Sequence, residues 1–210
     1  SKNKSVEDIE VDVDNYPLNL ILPRAKEVVS GKAVLHKSIT TNTWNVGGIL
    51  EELSSNAFKL HEIAITGVLQ STLFTGQIES QYPKASFVWD GYIDVAPEYR
   101  SKSVLTLNGF DTSIFKSGYL NVLLNGRLES EVWGTKLTDI QGSISSTGIS
   151  AKTPSGESIA LGSFQFGASL ISNDTHQIQF QSTDLINGSL RGNYHLVDWS
   201  TLNEYELPSD

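Results

Sequence analysis

Residues 120–133, LNVLLNGRLESEVW, alternate with a period of two: Leu120, Val122, Leu124, Leu128 and Val132 fall on even positions, and Asn121, Asn125, Arg127, Glu129 and Glu131 on odd ones. Successive side chains of a strand point to opposite sides, so this stretch predicts a strand with one dry and one wet face. The dry face also carries a glycine followed two residues later by an aliphatic, Gly126 then Leu128, and that step recurs at Gly67/Leu69, Gly76/Ile78, Gly91/Ile93, Gly142/Ile144 and Gly188/Leu190.

The same alternation runs through most of the chain. Val28 to Leu35 and Trp44 to Leu50 predict strands, with a bulge or bend at Gly47-Gly48, and Leu18 to Leu22 predicts a short strand closed by Pro23. Glu51 to Ala57 reads as turn-like. Ile63, Ile65, Gly67 and Leu69 share one dry face, Phe74, Gly76 and Ile78 the next, and Ala85, Phe87, Trp89, Gly91, Ile93 and Val95 a third. Val104 to Leu107 predicts another strand. Over Asn108 to Ser117 the period is lost, and Asp111 as N-cap with Gly118 beyond the end predicts a short helix.

Alternation resumes with Gly142 and Ile144, then in one run from Ala160 through Gly162, Phe164, Phe166 and Ala168 to Leu170, then at Ile178 and Phe180, then at Gly188, Leu190, Gly192 and Tyr194. Thr153-Pro154-Ser155-Gly156 and Ser172-Asn173-Asp174-Thr175 are turn-rich separators. The pattern predicts an all-β antiparallel meander with one or two short helices. Glycine weakens a strand, so its repeated use on the dry side needs a reason such as a bend or close backbone approach. Two architectures meet it: a strongly curved sheet forming a half-barrel, groove or incomplete barrel, or a sandwich whose glycines lie beneath large aromatics. The inner-face candidates are Phe74, Trp89, Leu128, Ile144, Phe164, Phe166, Leu190 and Tyr194. Trp133 has the parity of the wet face and is the candidate surface aromatic.

Composition changes this picture in three places. The formal charge of −9 disfavours nucleic acid or an anionic membrane surface as partner, and it is concentrated at the ends, −3 over residues 1–16 and −4 over residues 198–210. Those ends read as acidic tails around a single sheet domain over residues 17–197. Without cysteine there is no disulfide or thiolate metal site. No apolar run reaches the length of a membrane helix.

Candidate chemistry is sparse. His36, His61, His176 and His195 lack the close spacing of a zinc pair, and the sequence contains no nucleophile elbow and no phosphate-cradling glycine loop. Glu129 and Glu131 share a wet face, which suits a solubilising surface better than two carboxylates set across a cleft. Asp12-Val13-Asp14-Asn15 alternates oxygen ligands but lacks the glycine and distal glutamate of a calcium loop. The expectation is a protein with no catalytic residues, no cofactor and no metal.

Residues 105–196 resemble the C-terminal half of the type II secretion system protein N family. The matching pieces are the short helical stretch Asp111 to Lys116, then Leu124-Asn125-Gly126-Arg127-Leu128, Gln141-Gly142-Ser143-Ile144, Leu161-Gly162-Ser163-Phe164, and the closing Gly188-Ser189-Leu190-Arg191-Gly192-Asn193-Tyr194. Upstream, Ile65-Thr66-Gly67, Thr72-Leu73-Phe74-Thr75-Gly76 and Val88-Trp89 are similar to that family's earlier strands. The motifs are also similar to those of the AsmA and TamB group of envelope proteins. The resemblance implies a non-enzymatic periplasmic domain of a Gram-negative envelope, tethered to the inner membrane and binding other envelope or secretion-system proteins. The AsmA side of it implies instead a groove that binds or transfers lipid. Exposed aromatics such as Trp133 leave a third alternative, a carbohydrate-binding or adhesin domain.

Overall fold

The computed structural model describes residues 8–17, 28–38, 41–54, 58–96, 98–115, 121–134, 141–172, 175–182 and 188–192. They form one sheet of thirteen strands. In chain order these are β1 (Asp8–Pro17), β2 (Val28–Ser38), β3 (Thr43–Ser54), β4 (Lys59–Gln70), β5 (Leu73–Ser80), β6 (Phe87–Asp94), β7 (Tyr99–Asp111), β8 (Leu123–Gly134), β9 (Gln141–Lys152), β10 (Ser158–Gly162), β11 (Phe164–Ser172), β12 (Thr175–Ser182) and β13 (Gly188–Gly192). Each strand pairs antiparallel with its sequence neighbour, except that β9 pairs with both β10 and β11. The path from β1 to β13 does not close, so the fold is an open, curved antiparallel meander.

Alternation converts directly into two faces. On β8, Leu124, Gly126, Leu128, Ser130 and Val132 are shielded while Asn125, Arg127, Glu129, Glu131 and Trp133 are exposed. By register the shielded side of β8 continues across the sheet. Ile63, Leu107, Ile149, Ala151 and Ile178 are buried, as are Ser80, Ser101, Ser103 and Ser146, and all lie on that side. All the strands belong to one layer, so burial this deep requires the sheet to curl until residues of one face cover each other.

Glycine shows where the curl is sharpest. Gly142 has φ +134 and an added Cβ would strike the Glu131 carbonyl; Gly126 has φ +139 and its Cβ would sit 2.5 Å from Ile149 Cδ1. Neither position accepts an ordinary side chain without moving the neighbouring strand.

An aromatic cluster lies at one end of this face. Phe58, Phe115, Phe110 and Phe87 form a chain of ring contacts at 6.1 to 6.4 Å between successive centroids. The loop between β5 and β6 closes over them. Its Lys84 and Ser86 carbonyls accept the N–H groups of Asp111 (2.8 Å) and Asn108 (3.0 Å), and Ala85 between them is fully buried.

Several local expectations give way to this sheet. From Asp8 onward the stretch expected to be an acidic tail is an edge strand, held to β2 by Asp8–His36 (2.8 Å) and Asp12–Lys32 (3.5 Å). Asp14 accepts from Ser30 and Asn15, so the alternating oxygens once weighed for calcium are engaged with neighbours. The helix expected over Asn108 to Ser117 shrinks to one 3-10 turn, Thr112–Ile114, because Asn108 to Asp111 remain in β7; Asp111 does cap it, accepting from Ser113 N at 2.8 Å. Glu51 to Ser54 extend β3 rather than turning. The pairing of β3 runs through Gly47-Gly48 without a shift, and its bulge against β2 falls at Glu51, between the pairs Gly31–Leu50 and Ser30–Glu52. The single run from Ala160 to Leu170 is two strands, broken where Gly162 takes φ +69 and β9 changes partner. The expected strand at Leu18 to Leu22 and the acidic C-terminal tail lie outside the described residues.

Candidate functional site

Register turns the strand-by-strand glycines into one continuous feature. Gly67 lies opposite Gly76, Gly76 opposite Gly91, Gly91 opposite Ser103, and Ser103 opposite Ser130. Five consecutive strands, β4 to β8, therefore each place a glycine or serine side by side, at right angles to the chain direction. Two residues along each strand, on either side of this row, stand the large ones. One flank is Ile65, Ile78, Trp89, Leu105 and Leu128; the other includes Leu69, Phe74, Ile93 and Val132. Small floor and tall flanks make a shallow trough that crosses the strands. From β2 to β12 the apolar face spans nine inter-strand steps, roughly 43 Å along its surface at about 4.8 Å per step.

The aromatic residues lie down into the trough. Phe74 places its ring where Cβ atoms of Gly67 and Gly76 would be, with Cε2 2.6 Å from the first and Cζ 2.9 Å from the second. It stacks with Trp89, centroids 6.4 Å apart and planes 16° off parallel. Of the two architectures the glycines allowed, the single curved layer is the one formed and the sandwich is not, although within that layer a ring rests on bare backbone. Phe164 and Phe180 stack similarly at 6.1 Å on the far side of β9.

Six of the eight inner-face candidates have described side chains. Phe74, Trp89, Leu128, Phe164 and Phe166 are half-buried on the apolar face, and Ile144 is 36% exposed on it. Leu190 stands opposite Ile178 in the backbone register; Tyr194 lies outside the described residues. Gly188 is exposed with open space around it, so the close approach expected for every inward glycine does not extend to β13. Trp44, Leu69, Ile93 and Phe180 lie on the same apolar face, beyond the eight inner-face candidates. Their parity was readable, but which strands stand beside which is a property of register.

Polar chemistry on this face is closed. Ser103 and Ser130 hydroxyls bond each other at 2.8 Å, Ser146 Oγ accepts from Phe164 N at 2.8 Å, and Ser80 Oγ donates to the His61 carbonyl at 3.2 Å. Among the described residues no buried side-chain polar atom lacks a partner. At one margin Lys37 lies over the Trp44 ring, 5.3 Å from its centroid.

The opposite face is largely polar, and several of its charges are paired. Lys102 meets Glu131 at 3.1 Å and Arg127 meets Glu129 at 3.0 Å, all four side chains more than half exposed. Both glutamates thus sit in ion pairs on an open surface. At the β3–β4 end Glu52 is held below the ordinary carboxylate range, chiefly by the hydrogen bond from Lys59 (2.7 Å), with a smaller contribution from Ser54 and from the charges of Lys59 and His61. His61 itself packs against Tyr82, ring centroids 5.2 Å apart. Among the described residues no cluster of histidine and carboxylate side chains could hold a metal, and no helix is long and apolar enough to cross a membrane.

Fold and site together define a class: an open single-layer β-meander with one apolar and one polar face. No family model, curated protein or solved structure matches the chain.

Proposed function

We propose that this protein is a non-catalytic lipid-binding protein whose apolar trough seats acyl chains. The observation that supports it most directly is an apolar face, ten strands wide, on which Phe74, Trp89, Leu128, Phe164 and Phe166 are only half-buried because no second layer of described residues packs on them. Exposed apolar surface on that scale marks a binding face. The polar groups of the trough favour lipid over peptide. A peptide laid there would bring N–H and C=O groups needing partners, and Ser103, Ser130 and Ser146 are already bonded to each other or to backbone. An acyl chain needs none and gains about 0.8 kcal/mol for each methylene it buries.

The reading is the lipid-groove side of the resemblance to envelope proteins, and the periplasmic location implied there stays part of the proposal. A role beside secretion components is compatible with it, since a lipid-carrying domain can also dock to other proteins through an edge strand.

The test is native mass spectrometry and solvent extraction of protein purified from cells, with Ile144→Glu and Ile49→Glu as variants. Ile144 lies on the apolar face and Ile49, 56% exposed, on the other, so both tolerate a charge. Wild type and Ile49→Glu carry phospholipid or take up a fluorescent fatty acid, whereas Ile144→Glu loses most of it. Lipid-free wild type that refuses the fatty acid, or a dimer that buries this face, refutes the proposal.

A further inference from the structure

The polar face holds a second feature that the trough does not use. Trp133 is 44% exposed there, although its neighbours along β8 on that face, Glu131 and Glu129, are charged. Register sets Arg100 directly opposite it on β7, and one step along the strands sets Tyr92, Lys102 and Glu131 in a row. Tyr92, Arg100, Glu131 and Trp133 with Ser101 and Val132 enclose an open cleft of about 300 Å³. An indole left half in water on a hydrophilic face costs apolar exposure, and a ligand with an apolar face of its own would recover it.

The charges around this cleft are matched within the protein. Arg100 bonds Glu98 at 3.1 Å, Lys102 bonds Glu131 at 3.1 Å, and Asp94, opposite Arg100, accepts from Thr72 Oγ1 at 2.7 Å. An anionic ligand such as a phosphate would have to break these pairs in a chain of net charge −9. A neutral ligand rich in hydroxyls would not. It can donate to Glu131 and accept from Arg100 while both keep their partners, because a carboxylate and a guanidinium each have capacity beyond one bond. The required ligand combines a flat C–H face for stacking with equatorial hydroxyls at its edge, which is the chemistry of a pyranose ring.

We infer that the cleft between Tyr92 and Trp133 is a binding site for a neutral carbohydrate, on the side of the sheet opposite the trough. Trp133 supplies the stacking platform, and Arg100 and Glu131 supply the hydrogen bonds. The site is independent of the lipid proposal, since Tyr92, Arg100, Glu131 and Trp133 all lie on the face opposite the trough.

Isothermal titration and tryptophan fluorescence with maltohexaose, cellohexaose and chitohexaose test it, with a hexameric alginate as charged comparator. At least one neutral hexasaccharide binds and the alginate does not. Trp133→Ala weakens binding about tenfold or more, Trp133→Phe restores part of it, and Ile144→Glu leaves it unchanged. Far-UV circular dichroism of each variant confirms the sheet. Silence of all three neutral sugars, tighter binding of alginate, or equal affinity in Trp133→Ala overturns the inference.

Discussion

Replacing Gly76 with alanine tests the curl of the sheet at a crowded point of the glycine row, and Gly47 supplies the matched control. Both are mid-strand glycines with ordinary φ. A Cβ at Gly76 would strike the Thr66 carbonyl and come within 2.7 Å of Gly67 Cα and 2.9 Å of Phe74 Cζ; one at Gly47 would meet nothing within 4 Å. Carbon atoms in contact sit at about 3.5 to 4.0 Å, so β4 and β5 must part or Phe74 must lift off the floor. Overpacking of this kind costs about 1–3 kcal/mol, and loss of the Phe74–Trp89 stack adds about 1 kcal/mol. Removing a glycine returns roughly 0.5–1 kcal/mol through the unfolded chain. The net expectation is a loss of about 2 kcal/mol for Gly76→Ala and a gain of about 0.5 kcal/mol for Gly47→Ala. Urea titration followed by circular dichroism and tryptophan fluorescence reads the difference as a midpoint gap of about 1 M, at a slope of about 2 kcal/mol per molar. Coincident midpoints would mean that the strands do not approach closely at the glycine row, and the argument for a tightly bent face would fail.

Further outcomes follow from the same coordinates. Ile63→Ala, at 3% exposure, costs about 2–4 kcal/mol in the same titration, while Ile144→Ala, at 36%, costs under about 1 kcal/mol; equal losses would contradict the difference in burial between the two positions. Because Glu52 is held below its ordinary pKa, its contribution to stability is present above the unfolded carboxylate value and fades as pH falls through the lowered one. Lys59→Ala therefore flattens the acid limb of a stability-versus-pH curve, and an unchanged limb would refute the assignment. Breaking the exposed Lys102–Glu131 pair with Lys102→Ala shifts the unfolding free energy by less than about 1 kcal/mol at ordinary salt, and a larger loss would show the polar face to be more enclosed than it is here.

Much of the fold was legible in the sequence because period-two alternation is local. On β8 each residue's side of the sheet follows from its parity, and the structure places Leu128 and Trp133 on the faces the sequence predicts. Where expectation failed, a distant partner had overruled local chemistry. Asp8 to Asp14 look like a solvated tail until His36, Lys32 and Ser30 stand opposite them. Asn108 and Gly109 look like the end of a strand until the loop at Lys84 to Ser86 supplies hydrogen bonds for that end of β7.

By itself the sequence determined that this chain makes strands, that each has a dry side, and that glycines belong on several of those sides. Only the tertiary structure decided that Gly67, Gly76 and Gly91 adjoin in one row while Gly126 and Gly142 stand off it, facing Leu107 and Val132. The reason is that side-chain direction is set by the backbone of a residue and its immediate neighbours. Register is set by hydrogen bonds and packing between residues far apart in the chain, and a trough exists only once every strand has chosen its register against the next.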